Sequence, residues 1–172
     1  QWLDQLPQGA ARRTLALRLR FRAARQSGQL QLALETVRLL TKHRAYSDAA
    51  GKSIARSLAI DFIRSADDTV QIQRAWDALD SAEQLVPEVA FEAAERLLAH
   101  GGAADISRQW LLPIWDAMLQ KYEALTLAQR VRLARVLERG FAAPDGAPAA
   151  AWLSRIESAQ MGNPRDGVLQ YP

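Results

Sequence analysis

Cysteine is absent from the 172 residues. Disulfides, thiolate metal sites, cysteine nucleophiles and c-type haem attachment are therefore excluded, and the redox compartment stays open. Histidine occurs only twice, at His43 and His100, far apart and without carboxylate neighbours. No apolar run reaches the roughly 18 residues needed to span a bilayer. Gly-rich phosphate loops, a nucleophile elbow and any His/Asp/Ser grouping are missing too. The expectation is a non-enzymatic protein with no catalytic residues, no cofactor and no metal. The chain starts on Gln1 without a signal-peptide pattern, which leads us to expect a piece of a longer protein.

Charge of one sign is also scarce, but only locally. Residues 1–60 hold 11 Lys+Arg against three acids, Asp4, Glu35 and Asp48, whereas the remainder holds 11 against 16. The first third is near +8 and the rest near −5. Such polarity points to an anionic partner at the N-terminal end. Nucleic acid is not expected as that partner. The basic residues are confined to one end, and a base-by-base reader needs polar readers in every repeat.

What the chain does contain is Ala and Leu in abundance with few β-branched residues, which reads as all-helical. The periodicity predicts eight helical segments over 10–26, 29–43, 48–64, 68–84, 88–100, 104–121, 127–140 and 148–161. Breaks inside helix pairs fall at Gly28, Ser65, Gly101 and Gly140, spaced 37, 36 and 39 apart. New pairs open at Asp48, Pro87, Thr126 and Pro164, spaced 39, 39 and 38 apart. Two interleaved series of nearly equal period predict an α-α superhelix of tetratricopeptide type with about four helix pairs. The expected single domain spans 1–172, with repeats at 10–47, 48–86, 87–125 and 126–163 and a truncated next repeat from 164. Gly28 is followed by Ala33, Val37 and Leu40 on one face of the second helix. Pro87 and Pro164 suit a first helical turn, where the missing N–H would be unpaired anyway.

Residues 15–26, LALRLRFRAARQ, alternate apolar and basic side chains like a strand but are built from helix formers. Placed on a helix at 100° per residue, Leu15, Leu19 and Ala23 share one side and Leu17, Phe21 and Ala24 another. Both apolar faces are expected to be buried, as in a solenoid helix packed on two sides. Arg18, Arg22 and Arg25 form a separate stripe, with Arg12 and Arg13 extending it. These three guanidiniums are the candidate partner-binding residues, able to hold carboxylates bidentately.

Other candidates have structural explanations. Lys42, His43 and Arg44 end a helix, where cations complement the macrodipole, and His100 before Gly101 reads as a cap. In RQWLLPIWDAMLQKY, residues 108–122, the aromatic stripe reads first as packing. Trp110 and Trp115 remain a second candidate, the wall of an apolar groove, with Pro113 expected to kink the helix and widen it. Asp77, Asp80 and Glu83 share a predicted helix face and read as solvated decoration.

The segments TLALRLRFRAARQSGQLQLALETVRLLTKHRAYS, QRAWDALDSAEQLVPEVAFEAAERLLAHGG and AAWLSRIESAQMGNPRDGVLQYP together resemble the HemY family. That family comprises proteobacterial inner-membrane proteins associated with protohaem biosynthesis. The resemblance is carried by Trp152-Leu153, Asn163-Pro164-Arg165-Asp166, Trp76, Pro87, and Ala33 with Leu39-Leu40. It implies a tetratricopeptide solenoid behind an N-terminal membrane hairpin that this chain lacks, and a link to a late step of haem synthesis without an established activity. The unrelated protoporphyrinogen oxidase of the same name carries a dinucleotide-binding glycine motif that is absent here.

These readings lead us to expect an interaction scaffold that holds protein partners, including haem-pathway enzymes, at the bacterial inner membrane. Membrane contact would come only through the missing anchor. Uncapped ends make a homodimer of the piece an expected association. The alternative expectation is a protein that binds or hands over haem or porphyrin, with propionates on the arginines.

Overall fold

The computed structural model describes residues 8–141, 146–162 and 167. Among these the secondary structure is helical throughout, so the all-α expectation holds. In chain order the helices are α1 (Gln8–Gln26), α2 (Leu30–Lys42), α3 (Asp48–Arg64), α4 (Thr69–Asp77), α5 (Ser81–Gln84), α6 (Pro87–Ala99), α7 (Ala104–Gln120), α8 (Leu127–Phe141) and α9 (Gly146–Gly162). A 3-10 turn, Tyr122–Ala124, joins α7 to α8. Among the described residues no helix is long and apolar enough to cross a membrane. Pro164, the other residues of 163–166 and 168–172, and the side chains of Trp152 and Leu153 lie outside the described set.

Most of the expected punctuation acts through backbone chemistry. Gly28 has φ +72 and lets Gln29 N–H donate to the Ala24 carbonyl at 2.9 Å, closing α1 with a left-handed cap that a side chain would strain. Pro87 is the first residue of α6. At the expected opening Asp48, the preceding Ser47 is the cap, accepting from Ala50 N–H at 3.2 Å. Thr126 and Gln129 cap α8 reciprocally: Thr126 Oγ1 accepts from Gln129 N–H at 3.2 Å, and Gln129 Oε1 accepts from Thr126 N–H at 2.9 Å.

One expectation about the helices fails. The helix expected over 68–84 breaks at Ala78, because Asp80 captures Glu83 N–H at 2.8 Å while Glu83 Oε2 accepts from Asp80 N–H at 2.9 Å. This capping box starts α5 and removes Asp77, Asp80 and Glu83 from any continuous face; Glu83 is buried. α8 ends at Phe141, one residue past the expected break at Gly140.

The chain divides into two compact units, Gln1–Ser65 and Ala66–Pro172. In the first, α2 packs against both α1 and α3. Ala33, Leu34, Val37 and Leu40 of α2 are fully buried there, as the pattern after Gly28 requires. Each of the larger ones contributes about 2 kcal/mol by leaving water. α3 comes so close at Gly51 that a Cβ there would run into Thr41.

In the second unit α6 packs against α4, α7 and α8. Its apolar surface is correspondingly broad: Val89, Ala90, Phe91, Ala93, Ala94 and Leu97 are all buried. Around them sit Ile72 of α4, Leu111, Ile114 and Met118 of α7, and Leu133 and Leu137 of α8. The guanidinium of Arg96 ties down the start of the unit by donating from Nε and Nη2 to the Ala66 carbonyl at 2.9 and 2.7 Å. α7 continues through Pro113, which withholds one backbone donor.

Candidate functional site

α1 meets α2 through Phe21 and Ala24, which are buried, with Leu17 half-buried beside them. The opposite apolar face is not covered. Leu15 and Leu19 are 60% and 58% exposed, correcting the expectation that both faces of α1 are buried. The physical reason is that α1 packs on α2 along one side, so only residues near Phe21 leave water.

The arginine stripe borders this contact. Arg18, Arg22 and Arg25, together with Phe21, Gln26 and Tyr46, line an open groove of about 630 Å³. Tyr46 is delivered by the connection between α2 and α3. Arg44 takes φ +57 there, and Ala45 N–H donates to the Leu40 carbonyl at 2.9 Å while Arg44 N–H donates to Thr41 at 3.0 Å. This is the same left-handed cap that Gly28 makes, with an arginine in the glycine position.

Tyr46 precedes the N-cap Ser47. An apolar residue there commonly packs onto the fourth helical residue, but here that residue is Gly51, which has no side chain to meet. The Tyr46 ring instead stands edge-on to Phe21, with centroids 6.5 Å apart and planes at 76°. Arg18 Nη2 donates to the Ala45 carbonyl at 3.4 Å, bracing the turn against α1.

Electrostatically the groove is one-sided. Residues 5–34 contain no acid, and among the described residues no ion pair engages Arg18, Arg22 or Arg25. The second unit behaves differently. Arg132 of α8 grips Glu95 of α6 bidentately at 3.0 and 2.7 Å, approaches Glu92 at 3.7 Å and lies over the Phe91 ring. The Glu95 bond holds the Arg132 guanidinium above its usual range, against the opposing effect of burial. Gln129 completes the seam by donating to Glu88 Oε1 at 2.7 Å.

The remaining candidates are placed as follows. Trp115 is only 3% exposed, and Trp110 stacks on Trp76 with centroids 4.8 Å apart and planes at 20°. Trp110 also packs on the cluster of Ala66, Ile72 and Leu97, so both rings are engaged in packing. His43 caps α2, and His100 caps α6 with Nδ1 2.9 Å from the Arg96 carbonyl. Among the described residues no group of three or more His, Asp or Glu is arranged to hold a metal ion. Sequence reasoning found the three arginines but missed Tyr46 and the part played by Phe21. The available signal was an aromatic residue ahead of an N-cap whose fourth helical position is glycine.

Fold and groove together define an all-helical protein with a basic, open groove on its first described helix, lined also by Phe21 and Tyr46. Such a groove can hold an anion and an apolar group side by side. Compared with protein-family models, with curated proteins and with solved structures, the chain matches none.

Proposed function

We propose that the chain is a protein-interaction scaffold, a tetratricopeptide-like solenoid that acts by holding a partner and raising its local concentration. One observation carries this reading: Arg18, Arg22 and Arg25 line a single groove with Phe21 and Tyr46, and among the described residues no ion pair engages them. Regular helix-pair punctuation at Gly28, Ser65 and Gly101 supports the solenoid arrangement. The resemblance to the HemY family supplies the setting, a late step of protohaem synthesis at the bacterial inner membrane.

The test is affinity capture with the full-length protein, comparing wild type with Arg18→Glu/Arg22→Glu/Arg25→Glu. Specific partners should be lost from the variant. Unchanged capture, with the fold intact by circular dichroism, would sink the reading.

A second reading, binding or transfer of a tetrapyrrole, is favoured by the same juxtaposition, since propionates suit guanidiniums and a planar ring suits Phe21 and Tyr46. Titration with haem and with metal-free porphyrin tests it through the Soret band. An unshifted band at micromolar ligand removes it.

A further inference from the structure

We propose that the outer face of α1 lies on an anionic phospholipid surface, with its exposed leucines in the headgroup boundary and its arginines on the phosphates. This goes beyond the interaction-scaffold reading, since neither Leu15 nor Leu19 lines the groove.

Period and exposure together define the face. At 100° per residue Leu15, Leu19 and Ala23 advance by about 40° per step and make one stripe along the helix, with Ala16 beside Ala23. All four are exposed, the leucines by 60% and 58%. On the other side Leu17, Phe21 and Ala24 turn towards α2, the helix against which α1 packs. Arginines bound the stripe along both margins. Arg18 and Arg22 lie about 70–110° from its midline on one side, and Arg13 and Arg20 about 90–110° on the other. Arg12 stands at its N-terminal end. All five are exposed, and residues 5–34 hold no acid.

A helix that rests in a membrane interface has this layout. The apolar stripe faces the acyl boundary, while the alkyl stems of the flanking cations run along it and keep the guanidiniums at the level of the phosphates. Charge selects the occupant. A second copy presenting the same face would bring together two helices without a single acid, which like-charge repulsion opposes. A neutral surface would leave the arginines without counter-charge. A plane of phosphates meets both margins at once, and each arginine brought near it strengthens binding about fivefold. The contact belongs to α1 itself and needs no spanning segment. An acidic protein surface is the competing occupant, and the experiment separates the two.

Because the chain has no cysteine, one introduced thiol can be labelled uniquely. The whole chain is prepared as Leu19→Cys and, for comparison, as Leu127→Cys on α8, where the leucine is also 60% exposed. Each carries a nitrobenzoxadiazole label and is mixed with vesicles of phosphatidylcholine alone or of equal parts phosphatidylcholine and phosphatidylglycerol. The protein should sediment only with the anionic vesicles, and the label at position 19 alone should shift to the blue as it leaves water. In the unlabelled chain, Leu15→Ser/Leu19→Ser should weaken partition about tenfold. Arg13→Gln/Arg20→Gln should weaken it about 30-fold. None of these four residues lines the groove, so capture of protein partners should be unchanged in both variants.

Failure to sediment with anionic vesicles overturns the proposal. So does full partition by the folded serine variant, which would leave only undirected attraction of a basic protein, and so does a label at position 19 that stays in water on bound protein. If the serine variant keeps its vesicle binding but loses captured proteins, the stripe is a protein interface and the lipid surface falls. The scaffold reading fails separately, on unchanged capture by the variant reversed at Arg18, Arg22 and Arg25.

Discussion

The arginine stripe on α1 and the arginines of the second unit meet opposite fates. In the second unit Arg132 is clasped by Glu95 and Glu92, Arg96 is tied to the Ala66 carbonyl, and Arg155 meets Asp116 at 3.3 Å. This unit carries 10 Lys+Arg against 15 acids and has carboxylates available for pairing. In the first unit the stripe on α1 faces outward, and among the described residues none of its arginines is ion-paired and only Arg18 makes a hydrogen bond, to a backbone carbonyl. Internally paired arginines serve packing. Unpaired ones leave a field for something outside, and that difference locates the candidate site.

The largest expected effect tests which unit depends more on its core. Phe91→Ala removes a fully buried ring at the meeting of α6 with its neighbours. It should cost about 3–5 kcal/mol, read as lost hydrogen-exchange protection in α6, α7 and α8. Comparable protection across these helices in the variant would mean that the site collapses to fill the cavity.

A paired substitution sharpens the contrast between the arginines. Arg132→Ala should lower stability by about 1 kcal/mol, a modest figure because the pair is partly screened by solvent. Arg22→Ala should change stability by less than about 0.5 kcal/mol while weakening partner binding. Denaturant unfolding of both variants, beside a binding assay, decides it. Equal stability losses would erase the distinction between the two units.

The smallest effect concerns the turn that carries Tyr46. Arg44 occupies a left-handed conformation that disfavours an L side chain, so Arg44→Gly should raise the unfolding free energy by about 0.5–1 kcal/mol. Thermal unfolding checks the sign. A decrease would show that the arginine side chain contributes more than its backbone strain removes.

The helices were legible in the sequence because their ends are local events. Gly28, Ser47, Pro87 and Thr126 each act within four residues, through a cap or a fixed φ. The break between α4 and α5 was equally local, since Asp80 and Glu83 stand at capping-box spacing. An amphipathic reading of 68–84 overlooked it because Ile72, Ala75, Trp76 and Leu79 still fall on one buried side.

The stripe of Arg18, Arg22 and Arg25 needed only helical periodicity to be seen, since spacing along one helix is a property of covalent geometry. By itself the sequence determined the helical class, most helix ends, the buried face of α2 and the uneven distribution of charge. Local hydrogen bonding and side-chain period decide all of these. Only the tertiary structure decided that one of the two apolar faces of α1 stays in water and that Trp110 lies on Trp76. It also decided that Tyr46, 21 residues beyond Arg25, comes to stand beside the arginines. Those outcomes depend on which helices pack together, and contacts between residues distant in sequence leave no period to read.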